Sequence, residues 1–427
     1  MVGDGGVGVP AAEATDAGEA ASQLLGGNPM KSIELFTGAG GLALGTHLAG
    51  FEHSALVEWN QDACDTLRRN SREGALPGVD RWNVLQTDIH TLDFKQFGKV
   101  DLVAGGVPCQ PFSLGGKHKG MNDERDMFPD FVRAVRDLEP KAFIIENVKG
   151  LLRGTFRNYF AYIQLQLNYP GLHRKKGEGW EEHHRRLEDV HTKGRYSDLR
   201  YNVVFRLLNA ADYGVPQTRE RVFIVGFRSD VGHQWHFPEP THSFEALMRD
   251  QWATGTYWER HGVRRPKEIP AYARSFAGGT EEMFKTEEMF VPPKPWRTIR
   301  DATRNLPEPR ADVEPAGVLN HRLNPGARAY PGHTGSDYDL PSKTLKAGVH
   351  GVPGGENMIA FADGTLRYLT VREAARVQTF PDKWRFEGTW SEAMRQLGNA
   401  VPMDLAAVVA KSVAKKLKEK RRQAPMT

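Results

Sequence analysis

Short apolar runs alternate with amphipathic helical patterns in the first part of the chain, from residue 31 to about residue 150. The runs that predict strands are SIELF, SALVEW, VDLVAGGV and AFIIENV. The segments between them, such as QDACDTLRRN and DMFPDFVRAVRDL, have the apolar spacing of helices. Strands and helices in turn are typical of a parallel sheet covered by helices on both faces. The pattern predicts an α/β fold with a doubly wound sheet.

Two later apolar runs, YNVVFRLLNA (201–210) and RVFIVGF (221–227), are separated by the turn-like segment DYGVPQTRE. This arrangement favours antiparallel pairing of the two runs at the edge of the sheet. We therefore predict a mixed sheet with seven strands.

The alternation stops near residue 229, where the chain becomes rich in Pro, Gly, Trp and His. Since 427 residues exceed the usual size of one domain, we expect a large lobe that carries a smaller insertion. Helical patterning returns at LTVREAARVQTF, where Thr370 and Glu373 have the spacing of a capping box and Pro381 would end the helix. The charged segment 171–200 is expected to be a surface insertion, and a last helix is expected at 403–420.

The domain boundaries follow from these changes of pattern. They are a disordered leader at 1–30, the first part of a catalytic and cofactor-binding domain at 31–235, the small domain at 236–368, a hinge and helix at 369–398, the closing part of the large domain at 399–420 and a tail at 421–427.

Composition excludes several classes of protein. Two cysteines in the whole chain rule out a disulfide framework, argue against a cysteine-based zinc site and indicate a reducing, cytoplasmic compartment. We find no run of eighteen apolar residues and so expect no membrane association. The net charge of +4 is compatible with a polyanionic partner but does not demonstrate one. The basic run KSVAKKLKEKRR near the end is typical of a solvated helix end.

A glycine-rich turn, FTGAGG (36–41), follows the first predicted strand and indicates a nucleoside-type cofactor at the start of the next helix. Glu58 ends the second strand and is suited to accept hydrogen bonds from ribose hydroxyls. Trp59 is a candidate to pack on an adenine, and Asp88 is a candidate to accept from its amine. Each feature alone would also suit NAD or a structural role.

The segment GGVPCQPFS (105–113) follows the fourth strand, at the edge where open α/β sheets place their reactive groups. Pro108 and Pro111 stiffen this loop and hold Cys109 in the predicted cleft. An isolated cysteine is more often a small buried apolar residue. We expect that role for Cys64, which lies in a helical pattern, and a nucleophilic role for Cys109.

Charged residues end the neighbouring strands at the same edge. Glu146, in ENV, would supply an acid or base beside the thiol, although it could also cap a helix. Arg219 and Arg221, in QTRER, would help to ionise a thiol whose free pKa is about 8.5. Surface ion pairs are the alternative role for these two arginines.

Seven blocks, taken in order, resemble the blocks of the DNA cytosine-5 methyltransferases of bacterial restriction–modification systems. They are FTGAGG, the Glu58-Trp59 pair, GGVPCQPFS, ENV, QTRER, RYLTVREAARVQTFPD and GNAVP. The resemblance covers roughly residues 31 to 415. It implies a Rossmann-like, S-adenosylmethionine-dependent methyltransferase sheet in which the small domain recognises the DNA target.

The resemblance also implies the cofactor and its site. The methyl donor would be S-adenosylmethionine, S-adenosylhomocysteine would be the product, and no metal would take part. The implied contacts are Phe36, Gly38, Gly40, Glu58, Trp59, Asp88, Ile89, Pro108, Asn399 and Val401.

The implied reaction acts on a cytosine that has been flipped out of double-stranded DNA. Cys109 would add to C6, so that C5 gains enamine character and attacks the methyl group. Glu146 would hold N3, Arg221 would lie at O2, and the carbonyl of Val107 would accept from the N4 amine. Loss of the C5 proton and elimination of Cys109 would release 5-methylcytosine.

The implied DNA contacts lie in two segments. The loop after Cys109 contributes Gln110, Ser113, Lys117 and Lys119, and the small domain contributes Lys343 and Thr344. Thr344 matches a position that clamps the phosphate of the flipped nucleotide. We expect a monomer, with a cognate restriction endonuclease that acts on the same site without being bound.

Three rival functions remain to be weighed. A tRNA cytosine-5 methyltransferase shares these blocks, but the chain has no Cys-Phe-Thr signature and its small domain is large. An amino-methyltransferase needs an Asp/Asn-Pro-Pro-aromatic loop, whereas the single Pro-Pro here lies in VPPK. A binding module without catalysis would lack the nucleophile or the carboxylate, and both are present.

Overall fold

A seven-stranded mixed sheet forms the centre of the protein, in the order β3-β2-β1-β4-β5-β7-β6. The computed structural model describes residues 29–108, 126–231, 234–276, 292–331, 333–347 and 357–423. The strands are β1 (Met30–Leu35), β2 (Phe51–Glu58), β3 (Val84–Gln86), β4 (Leu102–Gly106), β5 (Ala142–Val148), β6 (Tyr201–Asn209) and β7 (Glu220–Arg228). The predicted fold class and the predicted strand number are confirmed.

The antiparallel strand β7 lies between β5 and β6. The two late apolar runs therefore pair as predicted, but the second run in the sequence is the inner one. In this register Arg221 lies opposite Val148 on β5, and on the other side of β5 Glu146 pairs with Gly106 of β4. The ends of three strands thus meet at one edge of the sheet.

Helices of the large lobe cover both faces of the sheet, and shorter helices lie in the small domain. They are α1 (Gly41–Leu48), α2 (Gln61–Arg72), α3 (Phe128–Leu138), α4 (Arg157–Asn168), α5 (Trp180–Lys193), α6 (Phe244–Met248), α7 (Thr256–His261), α8 (Ile299–Thr303), α9 (Val371–Val377), α10 (Trp390–Asn399) and α11 (Met403–Gln423). One core joins α3 and α4 to the sheet. A second core joins α1 and α11 to the opposite face.

The first and last helices approach so closely that side chains would not fit between them. A Cβ atom at Gly41 would lie 2.1 Å from the carbonyl oxygen of Val401, and one at Gly45 would lie 2.4 Å from the Cβ atom of Ala406. Glycine at these two positions lets the end of the chain return to its beginning after the small domain.

The small domain is built from short elements around an aromatic cluster. Its strands are β8 (His242–Ser243), β9 (Lys294–Pro295), β10 (Ser336–Asp337), β11 (Met358–Ala360) and β12 (Leu366–Tyr368). Trp252, Tyr257 and Trp258 fill its own core. Leu345 and Ile359 belong instead to a core that they share with α1, α2 and α9, so the two lobes are packed together there.

The predicted capping box begins helix α9. The Thr370 hydroxyl accepts from the backbone N–H of Glu373, and the Glu373 carboxylate accepts from the backbone N–H of Thr370. The helix ends at Val377, earlier than the predicted stop at Pro381. The backbone has already left the helical region at Thr379, where φ is 58°.

The charged insertion at 171–200 forms helix α5, which packs on α4. Most of its side chains are exposed, as expected, but Leu187 is buried and His183 is hydrogen-bonded to the hydroxyl of Tyr162. The insertion is therefore an ordered part of the large lobe.

A stretch at Trp390–Glu419 is long and apolar enough to cross a membrane by length and composition, which the sequence analysis did not expect. Within the protein, 67% of its most apolar window is buried, as in the core helices of folded domains. It comprises α10 and α11, which are separate helices.

His53 lies in a buried polar cluster between β1, β2 and α1. Its Nδ1 accepts from the Ser32 hydroxyl at 2.9 Å, and its Nε2 donates to the carbonyl of Ala43 at 2.9 Å. These contacts suit a neutral imidazole, and burial lowers the pKa of His53 to about 4.

We predict that His53 makes the folded state sensitive to mild acid. Its pKa falls from 6.5 in the unfolded chain to about 4 in the folded state, so stability is complete above pH 6.5 and is lost as the pH falls towards 4. The loss reaches about 3 kcal/mol at most. Urea unfolding of wild type and His53→Gln across this range measures it. Equal pH dependence in the two proteins would contradict the prediction.

Candidate active site

Glu146 and Arg221 form a buried ion pair at the edge where β4, β5 and β7 end. The Nε atom of Arg221 lies 2.9 Å from Oε1 of Glu146, and the side chains are 12% and 8% exposed. Since β7 runs antiparallel to β5, the first residues of β7 lie beside the last residues of β5. The sheet topology therefore brings together two charged groups that are far apart in the sequence.

The electrostatics of the pair favour a carboxyl group that can hold a proton. Burial raises the pKa of Glu146, and the charges of Arg221 and Arg219 only partly oppose this shift. Burial also lowers the pKa of Arg221. A Cβ atom at Gly106 would lie 3.6 Å from Oε2 of Glu146, so glycine at this position leaves space beside that oxygen. The site can share a proton with a flat polar ligand placed there.

Asn147 holds the start of the loop that leads to Cys109. Its Nδ2 donates to the carbonyl of Val107 at 3.1 Å, and its Oδ1 accepts from the backbone N–H of Val148 at 2.8 Å. The Val107 carbonyl, predicted to accept from the base, thus already has one donor and keeps a second lone pair. Sequence reasoning quoted Asn147 within ENV but gave it no role.

Residues 109–125 lie outside the described part of the chain. The predicted nucleophile and loop contacts in this segment stay predictions: Cys109, Gln110, Ser113, Lys117 and Lys119. Pro108 is the last described residue before the segment, and it directly follows Val107. Cys64, the other cysteine, is buried in α2, where burial raises its pKa to about 12, as expected for an inert thiol.

Arg219 is fully buried, and its guanidinium donates to three backbone carbonyls. The acceptors are Leu345 at 3.0 Å, Gly398 at 2.7 Å and Ala400 at 2.9 Å. Burial lowers the pKa of Arg219 well below its usual value. Its predicted role in supporting a thiolate stays a prediction, and its hydrogen bonds connect distant parts of the chain.

Glu58 organises the glycine-rich turn through its carboxylate. Its Oε2 accepts from the backbone N–H of Gly38 at 2.7 Å, and its Oε1 accepts from those of Trp59 and Asn60 at 2.9 and 2.8 Å. The backbone of Phe36 has φ 56°, a strained value for a residue with a side chain. The glycine-rich turn and the Glu58 carboxylate are therefore held together by these hydrogen bonds before any ligand binds.

The two predicted cofactor glycines differ in their surroundings. A Cβ atom at Gly38 would meet open space, whereas one at Gly40 would lie 2.9 Å from Leu67 and 3.2 Å from Trp384. A side chain at Gly38 would thus extend into open space. Gly40 is required by packing as well as by its φ of 94°.

The remaining predicted cofactor residues lie just after β2 and β3 or beside the start of α1. Trp59 is 68% exposed and presents a free aromatic face, while Ile89 is buried. Asp88 accepts from the backbone N–H of His90 at 3.0 Å. Val401 is buried against α1, next to the exposed Asn399. An exposed indole, two carboxylates and the open space at Gly38 fit an adenosyl group.

The predicted phosphate clamp lies beside the start of β7. Thr344 donates through its hydroxyl to the carbonyl of Thr218 at 2.8 Å, and the N–H of Thr218 donates to the carbonyl of Ser342 at 2.8 Å. Lys343 is exposed and donates to the Thr334 hydroxyl at 3.2 Å. Thr344 is therefore hydrogen-bonded to Thr218, which precedes Arg221 by three residues in the sequence. Within the described ranges, no cluster of His, Cys, Asp and Glu could hold a metal ion.

Comparison with known sequences gives matches over most of the chain. Residues 30–175 and 181–415 match the family model of the C-5 cytosine-specific DNA methylases. Type II methyltransferase M.NgoMIV of Neisseria gonorrhoeae is 30% identical over 397 residues, which cover 91% of this chain and 98% of the relative. Type II methyltransferase M.Eco47II of Escherichia coli is 34% identical over 395 residues, which cover 89% of this chain and 78% of the relative.

Solved structures share the fold. A DNA modification methyltransferase encoded within an Escherichia coli prophage gives a TM-score of 0.53 at 20% identity, covering 91% of this chain and 99% of the other. The Dnmt2 methyltransferase of S. pombe gives 0.50 at 18% identity, with the same coverage. At these identities the likeness concerns the fold alone.

We predict that removing Arg221 destabilises the protein in a pH-dependent way. Arg221→Met leaves Glu146 buried without its cation, which costs about 3 kcal/mol near pH 8. The pKa of Glu146 then rises further, so the native state binds a proton that the unfolded state lacks, and the loss shrinks as the pH falls towards about 5. Urea unfolding at both pH values measures the change.

A double variant provides the control. Glu146→Gln combined with Arg221→Met removes both charges and should recover most of the lost stability near pH 8, because no uncompensated ion remains. The interpretation fails if the double variant is no more stable than Arg221→Met, or if the loss is the same at both pH values.

Proposed function

The chain belongs to the C-5 cytosine-specific DNA methylases, and from this membership we propose how it acts. It methylates C5 of a cytosine in a specific double-stranded DNA sequence, as the modification half of a restriction–modification system. The role in a restriction–modification system is supported by the relatives, which are type II methyltransferases. The observation that carries the proposal is the buried Glu146–Arg221 pair beside the strand end that leads to Cys109.

The chemical difficulty is that C5 of cytosine is a weak nucleophile. We propose that the thiolate of Cys109 adds to C6 while Glu146 protonates N3, which converts the ring to an enamine. The raised pKa of Glu146 supports this role, because burial makes it easier for this carboxylate to take up a proton than for an exposed glutamate, and Arg221 only partly opposes this shift. Arg221 lies where it can contact O2 and keep the carboxyl group in place.

S-adenosylmethionine, when bound, supplies the methyl group that C5 attacks. We assign its adenosyl part to the cleft edge formed by the described residues: Phe36, Gly38, Gly40, Glu58, Trp59, Asp88, Ile89, Pro108, Asn399 and Val401. Afterwards a base takes the C5 proton, the Cys109 thiolate is eliminated from C6 and the N3 proton returns to Glu146, which restores the aromatic ring and frees the enzyme.

The base must leave the DNA stack before this chemistry, at a cost of a few kcal/mol that protein contacts offset. Thr344 and Lys343, with Gln110, Ser113, Lys117 and Lys119, are the proposed contacts to the DNA. A cognate endonuclease would act on the same sequence in the cytoplasm without being bound. The alternative, a tRNA cytosine-5 methyltransferase, has no specific observation in its favour.

Bisulfite sequencing tests the proposed function directly. DNA from cells that express the protein should carry 5-methylcytosine at one recurrent sequence, and DNA from cells that express Cys109→Ser should carry none, because serine is far less nucleophilic than a thiolate. The modified sequence identifies the target. DNA methylated by Cys109→Ser would contradict the mechanism, provided that both proteins are expressed equally.

A target containing 5-fluorocytosine should trap wild type as a covalent adduct, since fluorine cannot leave as the C5 proton does. Cys109→Ser should form no adduct while it still binds S-adenosylhomocysteine. Denaturing electrophoresis detects the adduct, and calorimetry measures the binding.

We predict that Glu146→Gln lowers the rate of methyl transfer by about a hundredfold or more, because an amide cannot deliver a proton to N3. Affinity for S-adenosylhomocysteine should be unchanged, since Glu146 contacts Arg221 rather than the cofactor edge. Single-turnover kinetics with labelled methyl donor measure the rate. A rate close to that of wild type would exclude Glu146 as the proton donor.

A further inference from the structure

Arg219 lies where three separate segments of the chain meet. Arg219 is the middle residue of QTRER and directly precedes β7, and its guanidinium reaches two other segments. We call residues 342–347 the strap and residues 398–402 the return loop. Nη1 donates to Leu345 of the strap, and Nη2 donates to both Gly398 and Ala400 of the return loop.

The strap and the return loop also touch each other directly. A Cβ atom at Gly398 would lie 2.3 Å from the backbone nitrogen of Ala347. Gln217 adds a further link, because its Oε1 accepts from the backbone N–H of Leu345 at 3.0 Å. Neither segment can therefore shift without displacing the other or breaking bonds to Arg219 and Gln217.

Each segment carries a different part of the proposed reaction. The strap carries Thr344, the proposed phosphate contact, and the return loop carries Asn399 and Val401, proposed to close the cofactor cleft. Arg221 follows Arg219 by two residues and pairs with Glu146. The buried guanidinium of Arg219 thus connects the segment proposed to contact DNA with the segment proposed to contact the cofactor. Through the short stretch of backbone to Arg221 it is also linked to Glu146.

The joint contains polar atoms that have no partner within the described part of the chain. They are Nε of Arg219, Nε2 of Gln217 and Oε1 of Gln378. Gln378 lies against the return loop, because its Nε2 donates at 2.5 Å to the carbonyl of Leu397, which directly precedes that loop, and at 3.5 Å to the carbonyl of Ala400 within it. A buried polar atom without a hydrogen-bond partner is unfavourable. A second arrangement of these segments that gave the three atoms partners would therefore be favoured.

We propose that Arg219 is a positioning residue that couples the binding of the cofactor to the binding of DNA. Closure of the return loop on an adenosyl ligand moves the carbonyls of Gly398 and Ala400, and the shared guanidinium transmits the shift to Leu345 and hence to Thr344. The coupling is reciprocal, so DNA in the strap tightens the cofactor cleft by the same factor. This inference rests on the proposed function, because it assumes these two ligands.

Arg372 provides a matched control within the same chain. It is also fully buried and donates to three backbone carbonyls, those of Leu319, Pro381 and Trp384. None of these acceptors lies in the strap or the return loop. Replacing either arginine should destabilise the fold, but only Arg219 should affect communication between the ligands.

The test measures the affinity of the full chain for S-adenosylhomocysteine by calorimetry, with and without a duplex that carries the target mapped by bisulfite sequencing. We expect DNA to increase the affinity of wild type by about 5- to 150-fold, the usual range of coupling. In Arg219→Lys, which keeps the charge but can reach fewer carbonyls, the factor should fall to within about twofold of one. Arg372→Lys should keep the wild-type factor.

Several results would overturn the inference: no effect of DNA in wild type, an unchanged factor in Arg219→Lys, or an equal loss in Arg372→Lys. If Arg219→Lys does not fold, Gln217→Leu is the second variant. It removes the acceptor for the N–H of Leu345 and should lower the factor by which DNA increases the affinity for S-adenosylhomocysteine.

Steady-state kinetics give another readout: Arg219→Lys should raise KM for both ligands more than it lowers kcat. Adduct formation on 5-fluorocytosine DNA by wild type is scored separately, so failure of the proposed function is distinguished from failure of the coupling.

Discussion

The buried ion pair of Glu146 and Arg221 is the constraint on which the arrangement of the site depends. Two opposite charges that are removed from water must stay paired, because separating them leaves an uncompensated buried ion. This requirement holds β7 in one register against β5. The same register places Arg219 at the joint between the lobes and leaves Gly106 beside the carboxylate. A slip of one residue would turn every side chain of β7 to the opposite face.

The pair is poorly explained by stability alone. Burial raises the pKa of Glu146 and lowers that of Arg221, so each partner is desolvated at some cost. Apolar residues of similar volume often give an equally stable core. A buried carboxylate with a raised pKa is, however, suited to exchange a proton with a ring nitrogen. The local loss is offset by the apolar cores on both faces of the sheet.

The sequence was informative wherever structure follows from local pattern. The alternation of strands and helices, the capping box at Thr370 and the start of the last helix at Met403 were all predicted from neighbouring residues. The partners of Arg219 could not be predicted in this way, because its acceptors lie 126, 179 and 181 residues away. The backbone bonds of Glu58 were also missed, since a carboxylate expected to hold ribose gives no sign that it first holds the turn.

Arg219 and Arg372 show that identical chemistry can serve different ends. Both guanidiniums are buried, both hold three carbonyls, and both replace backbone bonds that irregular segments cannot make for themselves. The carbonyls held by Arg372 belong to the surroundings of α9, whereas those held by Arg219 belong to segments that flank a cleft. The bonds of Arg219 therefore join the segment that carries Thr344 to the segment that carries Asn399 and Val401. The position of Arg219 between the segments, rather than its bonding pattern, is what distinguishes it from Arg372.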